Sequence, residues 1–165
     1  MFVLEMMEAI RRGGEEAHEA ALTLGLLIER EKVNRPAGDD GGISVILGDE
    51  FAKRRLSETE LKTAVDELIK YIQGTNDPIP TAIWALTKSY DPRIVPYLIE
   101  FLNKVLSDPA KEQLAYLALL GIINTGVSSS YKSDSLAAIR NAAEHGQGIV
   151  TETATNYLKL FSNTG

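Results

Sequence analysis

The segment Val65-Asp66-Glu67-Leu68-Ile69-Lys70-Tyr71-Ile72 returns thirty residues later as Val95-Pro96-Tyr97-Leu98-Ile99-Glu100-Phe101-Leu102. Valine, leucine and isoleucine coincide, and an aromatic followed by an aliphatic residue closes both copies. Self-similarity at this spacing marks stacked helical repeats, because one helical hairpin cannot bury its apolar face alone and needs a neighbour of the same kind. A second register supports the first. Ala21-Leu22, Ala85-Leu86 and Ala118-Leu119 each sit in the earlier helix of a pair, 64 and 33 residues apart.

Turn chemistry on both sides of the matched pair marks the helix ends. Residues 2–12 read as a short amphipathic helix stopped by Gly13-Gly14, and 15–33 as a helix with Glu15, Glu16 and Glu19 at its positive end. Pro36, Gly38, Asp39, Asp40, Gly41 and Gly42 then make a loop. Ile43-Ser44-Val45-Ile46-Leu47 follows as an apolar run that reads as a strand or a buried extended segment, and 49–56 as one or two helical turns. Residues 34–56 thus interrupt the helical rhythm.

Ser57-Glu58-Thr59-Glu60 is a capping box that starts a helix to about Gln73. Pro80 starts the next helix. Asp91-Pro92 and Asp108-Pro109 each place an N-cap before a helix-initiating proline, predicting helices to about Ser107 and Thr125. Ser133 or Asp134 caps a further helix to about Glu144, and 149–162 forms the last. The expectation is an all-α chain of about eight helices with at most one short strand. Gly25 and Gly121, both mid-helix, cost about 1 kcal/mol each against alanine and suit places where a neighbouring helix crosses tightly.

Composition narrows the function classes. The chain has 165 residues, 44% of them hydrophobic, as expected for one globular domain. It has no cysteine, which removes disulfides, thiolate metal sites and cysteine catalysis and fits a reducing compartment. The net charge of −6 disfavours general nucleic-acid binding, and Lys53-Arg54-Arg55 is too short a basic run to reverse that. No signal peptide and no bilayer-spanning stretch is apparent, so the expected location is cytoplasmic, with no membrane association.

Ala82-Ile83-Trp84-Ala85-Leu86 followed by Asp91-Pro92-Arg93-Ile94-Val95-Pro96-Tyr97-Leu98 resembles a HEAT repeat of the short type seen in phycobilin-lyase-like proteins. There an A-x-x-A-L helix precedes a D-P-R-x-V-P-x-L turn and second helix. The likeness is strong over 80–107 and fair over 109–146, where a serine-rich loop replaces the turn. It is weaker over 15–73, where residues 34–56 intervene. The resemblance implies one domain over residues 1–165. That domain is a right-handed α-solenoid of about three to four repeats, whose second helices line a concave binding face.

Catalytic and metal chemistry find little footing. His18 and His145 are far apart, and no zinc-protease, nucleophile-elbow, phosphate-loop or dinucleotide pattern occurs. His18 reads as a helix-surface residue and His145 as a helix C-terminal one. Asp39-Asp40-Gly41-Gly42 lacks the alternating ligands of a calcium loop. No enzyme, cofactor or metal is therefore expected, and Trp84 reads as a core residue.

Helical spacing separates the buried stripe of the 92–106 helix (Val95, Leu98, Ile99, Leu102, Val105, Leu106) from an outward face of Arg93, Tyr97, Glu100 and Lys104, with Phe101 at the border. The thirty-residue match carries Tyr97 onto Glu67, Glu100 onto Lys70 and Phe101 onto Tyr71. A looser alignment adds Arg140 and Asn141. Tyr71 and Phe101 belong either to this face or to the core between repeats. Aromatics beside charges favour protein recognition, so the expected partner is a protein. An acidic inhibitor or immunity protein that neutralises a toxin is the alternative, since acidity speeds association with basic nucleases. A lyase-like or chromophore-handling role ranks third.

Overall fold

The computed structural model describes residues 1–164, with side chains through 162. It is all-helical. Among the described residues, ten α-helices and no strand make up two compact units, residues 1–89 and residues from 90 onward. None of the described helices is long and apolar enough to cross a membrane.

The first unit holds helices α1 (Phe2–Arg12), α2 (Glu15–Lys32), α3 (Ile43–Leu47), α4 (Asp49–Ala52), α5 (Glu58–Gly74) and α6 (Pro80–Thr87). Gly13 and Gly14, at φ 80° and 79°, turn the chain between α1 and α2 in a conformation that side chains with a Cβ resist. Helix α1 packs against α2 and α5, and α6 packs against α2 and α5. Leu24, Leu27, Ile28, Leu68, Ile83 and Leu86 fill the space enclosed and are fully buried. Ser57 and Glu60 form the expected capping box: Ser57 Oγ accepts from the Glu60 N–H at 3.1 Å, and the Glu60 carboxylate accepts from the Ser57 N–H at 3.2 Å.

The apolar run 43–47 is a one-turn helix, not a strand or buried extended segment. No neighbouring strand offers its backbone a ladder, so its N–H groups are met locally: Val45 and Ile46 both donate to the Gly42 carbonyl, at 3.1 and 2.9 Å. Only Ile43 is buried, whereas Val45 is 88% exposed. The following turn is tied down by Phe51, whose ring lies 6.2 Å from that of Phe2. Arg30 adds a hydrogen bond to the Ala52 carbonyl at 2.6 Å.

The second unit holds α7 (Val95–Val105), α8 (Glu112–Gly121), α9 (Lys132–His145) and α10 (Gly148–Thr164). The two Asp-Pro caps act as the sequence leads one to expect, with a refinement. Asp91 and Asp108 accept from the N–H groups of Arg93 and Ala110, at 2.9 and 3.0 Å, and each proline opens a single 3-10 turn before its α-helix. Helix α8 unwinds into a π-turn, Ile122–Gly126. Helix α9 begins earlier than Ser133 or Asp134. Ser129 anchors its start, accepting from the Tyr131 N–H through its hydroxyl at 3.0 Å. Helix α7 packs against α8 and α9, and α10 packs against α8 and α9. Ile94, Leu98, Leu102, Leu119, Ile139 and Val150 form the core.

Candidate functional site

Helix α7 buries Val95, Leu98, Phe101, Leu102 and Val105. With that stripe turned inward, the 3.6-residue period leaves two adjacent rows on the remaining surface. One row is Pro96, Ile99 and Asn103. The other is Tyr97, Glu100 and Lys104, with Arg93 in the 3-10 turn that precedes the helix. Helix α9 buries Ser135, Leu136, Ala138, Ile139 and Ala142, which turns Asp134, Ala137 and Asn141 toward the first row of α7.

Between them lies an open groove of about 480 Å³. Its floor is apolar, made by Pro96, Ile99, Ala137 and Ala138. Tyr131 and Asp134 line the groove near the start of α9. On the far side Asn141 donates to Asn103 at 3.3 Å, an amide pair bridging the two helices. Apolar floor with polar rim is the pattern of protein recognition surfaces.

The residues singled out from sequence fall into separate groups. Tyr97, Glu100 and Lys104 are exposed on one face of α7, Tyr97 to 37%, and Arg93 is exposed in the 3-10 turn that precedes the helix. Arg140 is exposed on α9, one position from Asn141. Phe101, by contrast, is only 6% exposed and belongs to the core of the second unit, so it presents no binding surface. Ile99, assigned to the buried stripe, is half-buried and lines the groove.

Glu67, Lys70 and Tyr71 lie on α5 in the first unit, and their side chains are occupied locally. Glu67 takes Arg11 of α1 at 2.7 Å and Lys70 at 3.2 Å. The Arg11 hydrogen bond, with the help of Lys70, holds its carboxyl below the ordinary glutamate range. The Tyr71 hydroxyl accepts from the Ile79 N–H at 3.0 Å, fixing the chain as it enters α6. Glu67 and Tyr71 are thus engaged within the first unit, whereas the Lys70 side chain remains 68% exposed.

The groove rows were hidden in the sequence because Pro96 and Ala137 carry no chemistry of their own. The available signal was the offset of Ile99 and Asn103 by three and seven residues from Pro96, a stripe beside the charged one. His18 accompanies Thr81 of α6 through its Nδ1, and His145 closes α9. Among the described residues no group of three or more His, Asp or Glu side chains is arranged to hold a metal ion. No family model, no curated protein and no solved structure matches the chain.

Proposed function

We propose that the chain is a non-enzymatic, cytoplasmic protein-binding module built of HEAT-like helical hairpins, and that it takes a partner's amphipathic segment in the α7–α9 groove. The observation that carries this reading is the groove itself: an apolar floor between two helices with a polar rim. A helix laid in such a groove buries its apolar face on Ile99 and Ala137, while Asn103, Asn141 and Asp134 fix register. The solenoid part of the reading draws support from packing within each unit. Helix α1 lies against α5 and α2 against α6 in the first, and α7 lies against α9 and α8 against α10 in the second. Stacked hairpins produce this alternation.

The test compares capture from a lysate by the wild-type chain, by Ala137→Lys and by Tyr97→Ala/Glu100→Ala. Ala137 is exposed on a helix, so a lysine there leaves folding intact while placing a charge on the groove floor. The expected result is a protein retained by the wild type and lost at least about tenfold by Ala137→Lys, with thermal stability unchanged. Weaker retention is expected for the Tyr97/Glu100 pair. Equal capture by all three chains would sink the groove assignment.

A further inference from the structure

The last turn of α2 and the segment that follows enclose a second cleft, of about 410 Å³, within the first unit. Arg30 lines it. Its Nη1 donates to the Ala52 carbonyl at 2.6 Å. Its Nε and Nη2 are closed off from solvent and have no hydrogen-bond partner. These two nitrogens form one edge of the planar guanidinium, the edge that accepts two oxygens of one anion side by side.

Arg55, in the wall of the same cleft, shows that edge in use. Its Nε and Nη2 hold the two oxygens of Glu31 at 2.7 and 2.9 Å. Arg30 has no such counterpart, and the nearby carboxylates are engaged elsewhere. Glu31 also takes the Leu56 N–H at 3.2 Å. Asp40 accepts from the N–H groups of Gly42 and Ser44 at 2.9 and 3.0 Å. Glu29 bridges Arg35 at 3.1 Å and Lys88 at 2.9 Å. Burial and the neighbouring Arg55 charge lower the Arg30 pKa, while Glu31 and Asp40 act in the opposite direction.

We infer that this cleft binds a small carboxylate, gripped by the paired Nε and Nη2 of Arg30 as Arg55 grips Glu31. A carboxylate fits better than a phosphate dianion, because Glu31, Asp39 and Asp40 also line the cleft and repel the second charge. Entry requires a wall to give. The loop wall carries Gly38 and Gly41 at φ 87° and 68°, and the Arg35 side chain rests against Gly41.

The experiment is a titration of the full-length chain, ¹⁵N-labelled, watching the arginine Nε–H resonances assigned by through-bond correlation. Sodium acetate and inorganic phosphate are the probes, with sodium chloride holding ionic strength constant. The Arg30 Nε–H signal is expected to shift saturably with acetate and at least tenfold more weakly with phosphate. Arg30→Lys keeps the charge but lacks the two-pronged edge, and its backbone amides around the cleft are expected to lose the acetate response tenfold. The wild-type titration stands even if that variant folds poorly. An Arg30 signal that no probe moves saturably overturns the site. One that phosphate moves at lower concentration than acetate overturns the carboxylate assignment.

Discussion

Gly25 of α2 faces the six-membered ring of Trp84 on α6 with no room for a methyl group between them. A Cβ at position 25 would lie 2.9 Å from Trp84 Cε3 and 3.1 Å from the Ala85 Cα, with Trp84 Cζ3 nearer still. The helix accepts a residue of poor propensity there because the crossing needs the space. The ring is held as well: Lys88 lies 5.6 Å from its centroid, and Glu29 of α2 holds that lysine at 2.9 Å.

Gly25→Ala is therefore expected to destabilise the chain. Alanine gains about 1 kcal/mol of intrinsic helix propensity, but overpacking against a ring and a backbone atom costs about 1–3 kcal/mol. A net loss should appear as a lower denaturation midpoint, accompanied by a red shift in emission from Trp84, the sole tryptophan. A stabilised variant with unchanged emission would show that α6 slides freely over α2.

Phe101 and Tyr97 are one helical turn apart on α7 and differ in what they face. Phe101→Ala removes a buried ring and is expected to cost about 3–5 kcal/mol. Tyr97→Ala, at an exposed site, should stay within about 0.5 kcal/mol of wild type. Urea denaturation of both variants checks this. Comparable losses at the two positions would mean that α7 is rotated relative to the arrangement described.

How far the sequence led depended on the kind of signal. Ser57 with Glu60, and Asp91 and Asp108 before proline, are local devices whose geometry is contained in three or four residues, so helix starts were readable. Mid-helix Gly25 was readable as a crossing, although nothing in the chain named Trp84 as the residue crossing there. The run 43–47 misled because apolar β-branched residues look like a strand when no neighbouring strand can be seen to be missing. Phe101 sat at the edge of its stripe, where a rotation of about 100° per residue decides between core and surface. The α7–α9 groove depends on which helix lies beside α7, and the Arg30 cleft on how residues 34–56 fold back. Neither is a property of any one segment.

Acid should weaken the fold through two glutamates. Hydrogen bonding from Arg11 lowers the Glu67 pKa, and hydrogen bonding from Arg55 lowers that of Glu31. A carboxyl with a folded-state pKa below its unfolded one stabilises fully above the unfolded value, about 4.3 for glutamate. That contribution fades as the pH falls through that value and on through the lowered one. The urea midpoint is thus expected to drop as pH is taken from about 6 toward 3, and Glu31→Gln should flatten part of the drop. At neutral pH Arg11→Ala should cost no more than about 1 kcal/mol, since the Arg11 side chain is 43% exposed. A midpoint equally steep in wild type and Glu31→Gln would remove Glu31 from this account.

Gly126 faces the Ser135 side chain with no room for a methyl group between them. The Ser135 hydroxyl is buried without a hydrogen-bond partner. A Cβ on Gly126 would run into that hydroxyl, with Ser135 Cβ at 3.0 Å and Val95 Cγ1 at 3.2 Å. Ser135→Ala removes an unmet polar group and is expected to be neutral or stabilising by up to about 1 kcal/mol. Gly126→Ala should cost about 1–3 kcal/mol by overpacking. In the double variant the alanine methyl no longer meets the oxygen, so the loss should be smaller than the two single effects added, by at least about 0.5 kcal/mol. The coupling is measured from four denaturation curves. Strict additivity would mean that Val95, not Ser135, limits the space beside Gly126.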